Sequence, residues 1–152
     1  ERAGRVLAGP LGRFLYTRLN FSPRVILPLA WANKATLTPA LRHAYMDAFP
    51  RPADRFGAWG FARVVLGASA WFDALWARRD RIAHLPTLLL WGMRDPAITP
   101  RFLDRWRTLF PTAQVVEFLS AGHFVQEEAP EEALKALEVF LVGVQEGAVG
   151  AP

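Results

Sequence analysis

No cysteine occurs among the 152 residues. That excludes a disulfide framework, a thiolate metal site and a cysteine nucleophile. Histidine is scarce as well, with three in all. They stand at His43, His84 and His123, without the close spacing by which two imidazoles on one helix face share a zinc ion. No metal and no organic cofactor is expected. Long apolar runs are missing too. Runs such as residues 88–93, with a glycine inside, fall far short of the roughly 18–20 residues that cross a bilayer. The N-terminus, Glu1-Arg2-Ala3-Gly4, offers neither an initiator methionine nor a cleavable hydrophobic stretch. The expectation is a soluble, cytoplasmic chain without a membrane partner, whose front end is incomplete.

What is present suffices for one domain. The chain has 52% apolar residues and a mean hydropathy of +0.12, enough to bury a sizeable core. The formal charge of +4 is unevenly spread. Residues 1–86 carry 13 basic and 5 acidic side chains, whereas 87–152 carry 5 basic and 9 acidic. A basic half can signal nucleic acid. Here the arginines are scattered among apolar residues at positions such as Arg13, Arg24, Arg42 and Arg63. No basic run, recognition-helix motif or zinc finger accompanies them, so no nucleic-acid partner is expected.

The two halves differ in grammar. No internal repeat or low-complexity segment interrupts either. Residues 1–84 read as small helices punctuated by Pro and Gly. Pro10 precedes a short helix containing Phe14, Leu15 and Leu19, and Pro23 could open another. Thr38-Pro39 is an N-cap followed by proline at the first helical position. Leu41, Ala44, Tyr45, Ala48 and Phe49 then form one stripe that Pro50 ends. Phe61, Val64, Val65, Ala68, Phe72, Leu75 and Trp76 share another face, broken near Gly67 and Ser69 into two helices. The tryptophans at 31, 59, 71 and 76 read either as core packing or as the lining of an apolar ligand pocket.

Residues 85–142 read strand, helix, strand, helix, the pattern of parallel α/β units. Leu88-Leu89-Leu90-Trp91, closed by Gly92, fits a strand buried on both faces. Thr99 is expected to cap, and Pro100 to start, a helix with Phe102, Leu103, Trp106, Leu109 and Phe110 inward. Residues 113–118 form the second strand and 119–124 a loop. Pro130 opens a last helix with Leu134, Leu137, Phe140 and Leu141 inward, which Gly143 stops. Glu127, Glu128, Glu131 and Glu132 read as its solvated acidic start. Residues 143–152 are expected to be a flexible tail.

Asp95 follows the first strand and His123 the second. In open α/β sheets ligands bind beyond the carboxyl ends of the strands. Neighbouring strands lie about 5 Å apart, so side chains on two such tips can meet. A carboxylate beside an imidazole fixes its tautomer and lets the other ring nitrogen act as a base. Each residue also has a structural reading. Asp95 before Pro96 suits an Asx turn, and His123 suits a loop residue with a satisfied backbone bond.

The run from Pro86 to Asp95 resembles the acid-bearing strand of α/β-hydrolases. Gly122-His123-Phe124-Val125-Gln126-Glu127-Glu128-Ala129-Pro130 resembles their histidine loop and final helix, most of all in the haloalkane dehalogenase branch. Epoxide hydrolases and related esterases are close. Phe61-Ala62-Arg63 and the aromatic helices around it are similar to that branch's cap domain. The likeness covers residues 10–142. It implies an α/β fold, the C-terminal part of an α/β-hydrolase, with a helical cap (1–84) followed by β-α-β-α of a parallel sheet (85–142). It further implies Asp95 as triad acid, His123 as base, and Trp71, Phe72, Trp76 and Phe124 as substrate-pocket residues.

The nucleophile is not found. Gly67-Ala68-Ser69-Ala70-Trp71 lacks the second glycine of a G-x-S-x-G elbow and follows a helical pattern. In the family the elbow precedes the cap, so the resemblance implies a missing N-terminal half of the same fold. The expected reaction of the intact protein is hydrolysis of a carbon–halogen bond in a small apolar molecule, a haloalkane, with this chain inactive alone. A serine esterase or lipase-like enzyme, or an epoxide hydrolase, is the alternative, its substrate an ester in the first case. A non-catalytic interaction module is the alternative of another class.

Overall fold

A computed structural model of the chain describes residues 8–149, with side chains through 147. The chain packs as two compact units. One holds the described residues up to Leu29 together with Leu37–Arg78, the other Ala30–Thr36 together with the described residues from Arg79. Among the described residues, no helix is long and apolar enough to cross a membrane.

The first unit is helical. Helix α1, Pro10–Leu19, begins with proline at its first position and ends at Asn20, whose φ of 52° is the left-handed conformation that asparagine tolerates. The Asn20 amide also donates to the Met46 carbonyl at 3.1 Å. A π-helical turn, Ser22–Ile26, leads into the short helix α2, Leu27–Ala30, which spans the boundary between the units. In α3, Pro39–Asp47, the Thr38 hydroxyl accepts the Leu41 N–H at 3.2 Å, the expected cap. Arg55 then gathers carbonyls, donating to Phe49 at 2.7 Å, Pro50 at 2.6 Å and Thr17 at 3.1 Å. Helices α4, Phe56–Gly67, and α5, Ser69–Trp76, are separate, parted at Ala68 as the glycine and serine imply.

The second unit carries the sheet. Strand β1, Leu88–Gly92, pairs in parallel with β2, Gln114–Phe118, and α6, Pro100–Leu109, makes the crossover. The register sets Leu88 beside Gln114 and Gly92 beside Phe118. Beyond the strands the pairing continues: Met93 N–H donates to the Phe118 carbonyl and Arg94 N–H to that of Ala121, both at 3.0 Å. A short helix α7, Val125–Glu128, precedes α8, Pro130–Val149. Phe118, Ala121, Val125 and Ala133 form a buried cluster, with Leu90, Val116 and Ala129 packed on it.

Several expectations are corrected here. Residues 88–91 are half-buried rather than enclosed on both faces, because β1 belongs to a two-stranded sheet among the described residues. Of the α6 stripe only Leu103 and Phe110 are buried, while Phe102 is exposed. Thr99 makes no side-chain cap for α6. In α8 the buried contact comes from Ala133, and Leu134, Leu137 and Leu141 are exposed. The buried cluster reaches only the first turn of that helix. Nor does Gly143 stop α8, which runs to Val149. A glycine ends a helix by taking positive φ, and none of the described glycines does. The rest of the expected tail, residues 150–152, lies outside the described residues.

Two glycines are required by close approach. A Cβ on Gly92 would lie 1.9 Å from the Gly122 carbonyl oxygen, and one on Gly122 would lie 2.5 Å from that of Ala30. Gly92→Ala therefore forces two backbones apart and is expected to cost about 2–4 kcal/mol, seen as a lower urea midpoint. Gly143→Ala, where a Cβ meets nothing within 4 Å, should instead stabilise by roughly 0.5–1 kcal/mol. A Gly92→Ala chain as stable as its parent would contradict the close approach.

Candidate active site

Asp95 and His123 meet. Asp95 sits on the turn after β1, its N–H bonded to the Gly92 carbonyl at 3.2 Å. His123 sits on the loop after β2, its N–H bonded to the Ala30 carbonyl at 3.0 Å. His123 Nδ1 lies 2.7 Å from Asp95 Oδ2. An ionised carboxylate only accepts, so the imidazole donates from Nδ1 and keeps Nε2 as its free acceptor. The carboxylate side chain is 8% exposed and the imidazole side chain 42% exposed. The acid is thus sheltered while the ring reaches solvent.

The other oxygen of Asp95 is equally occupied. Oδ1 accepts the N–H of Ala97 at 2.7 Å and that of Ile98 at 3.0 Å. The Asx turn and the imidazole contact are therefore not rival readings of this residue; one carboxylate makes both. The turn fixes the carboxyl plane from within its own loop, and Oδ2 is left aimed at the ring.

The imidazole is backed by aromatic rings. Phe124 meets it edge-on with centroids 5.2 Å apart, and Trp31 stacks on Phe124 at 5.3 Å. Trp31 is almost fully buried, its indole N–H donating to the Thr36 hydroxyl at 2.8 Å. Of the two readings open for that tryptophan, it takes core packing. Trp71, Phe72 and Trp76 lie on α5 in the first unit. Trp71 and Phe72 are exposed and touch edge-to-face at 5.0 Å. No cluster of three or more metal-ligating side chains occurs among the described residues.

Sequence reasoning missed Glu128. Rather than standing solvated at a helix start, it is 7% exposed. Its Oε2 accepts the N–H groups of Ala32 at 2.9 Å and Asn33 at 2.7 Å, and Oε1 accepts that of Gly122 at 2.9 Å. Three backbone donors take the place of water around the buried carboxylate. Nothing local distinguishes it from Glu127, Glu131 or Glu132, because its partners lie 96, 95 and 6 residues away.

Comparison with known proteins identifies the fold family. The family model for the alpha/beta hydrolase fold matches residues 3–130. The chain is 31% identical over 137 residues to haloalkane dehalogenase 2 of Mycobacterium bovis, covering 88% of this chain and 46% of that protein. It is 38% identical over 65 residues to a cis-3-alkyl-4-alkyloxetan-2-one decarboxylase of Shewanella oneidensis, covering 43% of this chain and 20% of that one. A crystal structure of a haloalkane dehalogenase loop variant from Bradyrhizobium elkanii superposes with a TM-score of 0.80 at 20% identity, over 99% of this chain and 51% of that one. The chain spans about half the length of the haloalkane dehalogenases it matches. With most of its length matched by the family model, the chain belongs to the alpha/beta hydrolase fold family.

Proposed function

We propose that Asp95 and His123 are the acid and the base of a hydrolytic triad, and that the protein carrying them hydrolyses a carbon–halogen bond in a small apolar molecule. The observation that carries this reading is the 2.7 Å contact between Nδ1 and Oδ2 on adjacent strand tips. The likeness to haloalkane dehalogenase 2 supports the halide as leaving group. In such a reaction a carboxylate nucleophile displaces halide and forms an alkyl ester. His123 Nε2 then takes a proton from water as the water oxygen attacks the ester carbonyl. The acyl C–O bond breaks, and the imidazolium passes its proton to the departing alkoxide, releasing the alcohol and freeing the carboxyl group. Asp95 stabilises the resulting imidazolium and holds the ring in place. No metal or organic cofactor has a step in this scheme.

The nucleophile is not among these residues. In this proposal it comes from an N-terminal half of the same fold, together with most of the central sheet. Phe124, edge-on to the imidazole, braces the base. A Ser nucleophile on the same pair would make an esterase instead, with an acyl-enzyme in place of the alkyl ester.

Purified 1–152 should not turn over haloalkanes or p-nitrophenyl esters; robust turnover by the chain alone would sink the proposal. The reading frame upstream of Glu1 should encode a strand, a Gly-x-Asp-x-Gly elbow and a helix, whereas Gly-x-Ser-x-Gly would move the reaction to ester hydrolysis. In a protein extended by that frame, Asp95→Asn should cut kcat by about 10³–10⁴-fold, as loss of a triad acid does. Asn keeps an oxygen for the Ala97 and Ile98 N–H groups, so its stability should exceed that of Asp95→Ala by roughly 1–3 kcal/mol. Equal activity of Asp95→Asn and its parent would remove the carboxylate from the chemistry.

A further inference from the structure

Glu128 and His123 serve one end. The loop that carries the imidazole has two successive N–H groups anchored on one side. Gly122 donates to Glu128 Oε1 at 2.9 Å, and His123 donates to the Ala30 carbonyl at 3.0 Å. The strip that receives His123 is itself held by Glu128, whose Oε2 takes the Ala32 and Asn33 N–H groups at 2.9 and 2.7 Å. Trp31, in the middle of that strip, stacks on Phe124, and Phe124 meets the imidazole. The fit admits no side chain at Gly122, where a Cβ would come within 2.5 Å of the Ala30 carbonyl oxygen and 2.8 Å of the Ala32 nitrogen.

We infer that Glu128 is a positioning residue, a buried carboxylate clamp that binds residues 30–33 to the histidine loop and so aims the His123 ring at Asp95. It touches no reacting atom. Its action runs through two routes, the Gly122 amide on the backbone side and Trp31–Phe124 on the ring side. Hydrogen bonds to a charged acceptor are roughly twice as strong as neutral ones, and three converge here. An amide at this position has one carbonyl oxygen and an NH₂ group that only donates. Glu128→Gln therefore turns a donor toward at least one of the three N–H groups while keeping the volume. The inference rests on the reading of Asp95 and His123 as a working pair, and its test separates the two.

The test is long-range ¹H–¹⁵N spectroscopy of the 152-residue chain with labelled histidine, at a pH where the imidazoles are neutral. The parent should show His123 with its proton fixed on Nδ1. His43 and His84 serve as internal references. Glu128→Gln should abolish that fixed tautomer, leaving His123 as a mixture, while the references stay unmoved. Glu132→Gln, at an exposed acid on the next helix, should change nothing. A variant that only loosened the fold would shift its melting point without selectively moving the tautomer. Retention of the Nδ1 proton in Glu128→Gln would overturn the clamp. A parent chain with no fixed Nδ1 proton, or one unchanged by Asp95→Asn, would overturn the pair instead.

Amide exchange in the unsubstituted chain gives a second test that needs no variant to fold. The Ala32, Asn33 and Gly122 amides should exchange together, slowed by at least about 100-fold relative to an open chain. Fast exchange at all three would contradict the clamp.

Discussion

Parallel pairing of two short strands, in a register that sets Gly92 beside Phe118, is the constraint from which the site follows. Their carboxyl ends come out side by side, and the pairing runs on through Met93 and Arg94 into the two loops. Only then do a carboxylate three residues past one strand and an imidazole five residues past the other fall within hydrogen-bond reach. The closeness depends on missing side chains. Gly92 and Gly122 approach so nearly that one Cβ would push the histidine loop off the acid loop. A general feature of open α/β sheets, that chemistry collects at the strand tips, takes here the form of two glycines and two backbone hydrogen bonds.

Asp95 shows how one residue can satisfy a local and a long-range demand. Its Oδ1 closes the turn onto Ala97 and Ile98, and its Oδ2 holds the ring of His123. A carboxylate has lone pairs enough for both. The turn costs the pair nothing and adds to it, since a carboxyl group already fixed in plane loses little freedom when the imidazole docks. The ring is treated likewise from the other side, by Phe124, Trp31 and the strip that Glu128 holds.

Much of this was legible because it is written locally. A continuous apolar run ending in glycine marks a strand, Thr38-Pro39 marks a helix start, and the Gly67 and Ser69 region marks a break; all three features are present. Asp95 and His123 were legible because each lies on the short loop just past the carboxyl end of a strand. What escaped depends on partners far away in sequence. Glu128 sits in an acidic run that reads as solvated, yet amides at 32 and 33 draw it inside. The inward stripe expected of Leu134, Leu137 and Leu141 failed for a related reason. Periodicity shows which residues of a helix are apolar, but the covered face of α8 runs through buried Ala133 and half-buried Ala136, Phe140 and Val144, and Leu134, Leu137 and Leu141 stand off it. Gly143 failed because a glycine permits a helix to end without compelling it.

In the triad proposed above, His123 is the base that frees a covalent intermediate. Intact-mass spectrometry of a His123→Gln variant, in a protein that joins this chain to the proposed N-terminal half and exposed to 1-bromobutane, tests this most directly. With the proposed base removed, turnover should be lost and the protein should keep a stable butyl adduct, because water is no longer activated to cleave the ester. Turnover at the parental rate, with no adduct on the protein, would contradict it.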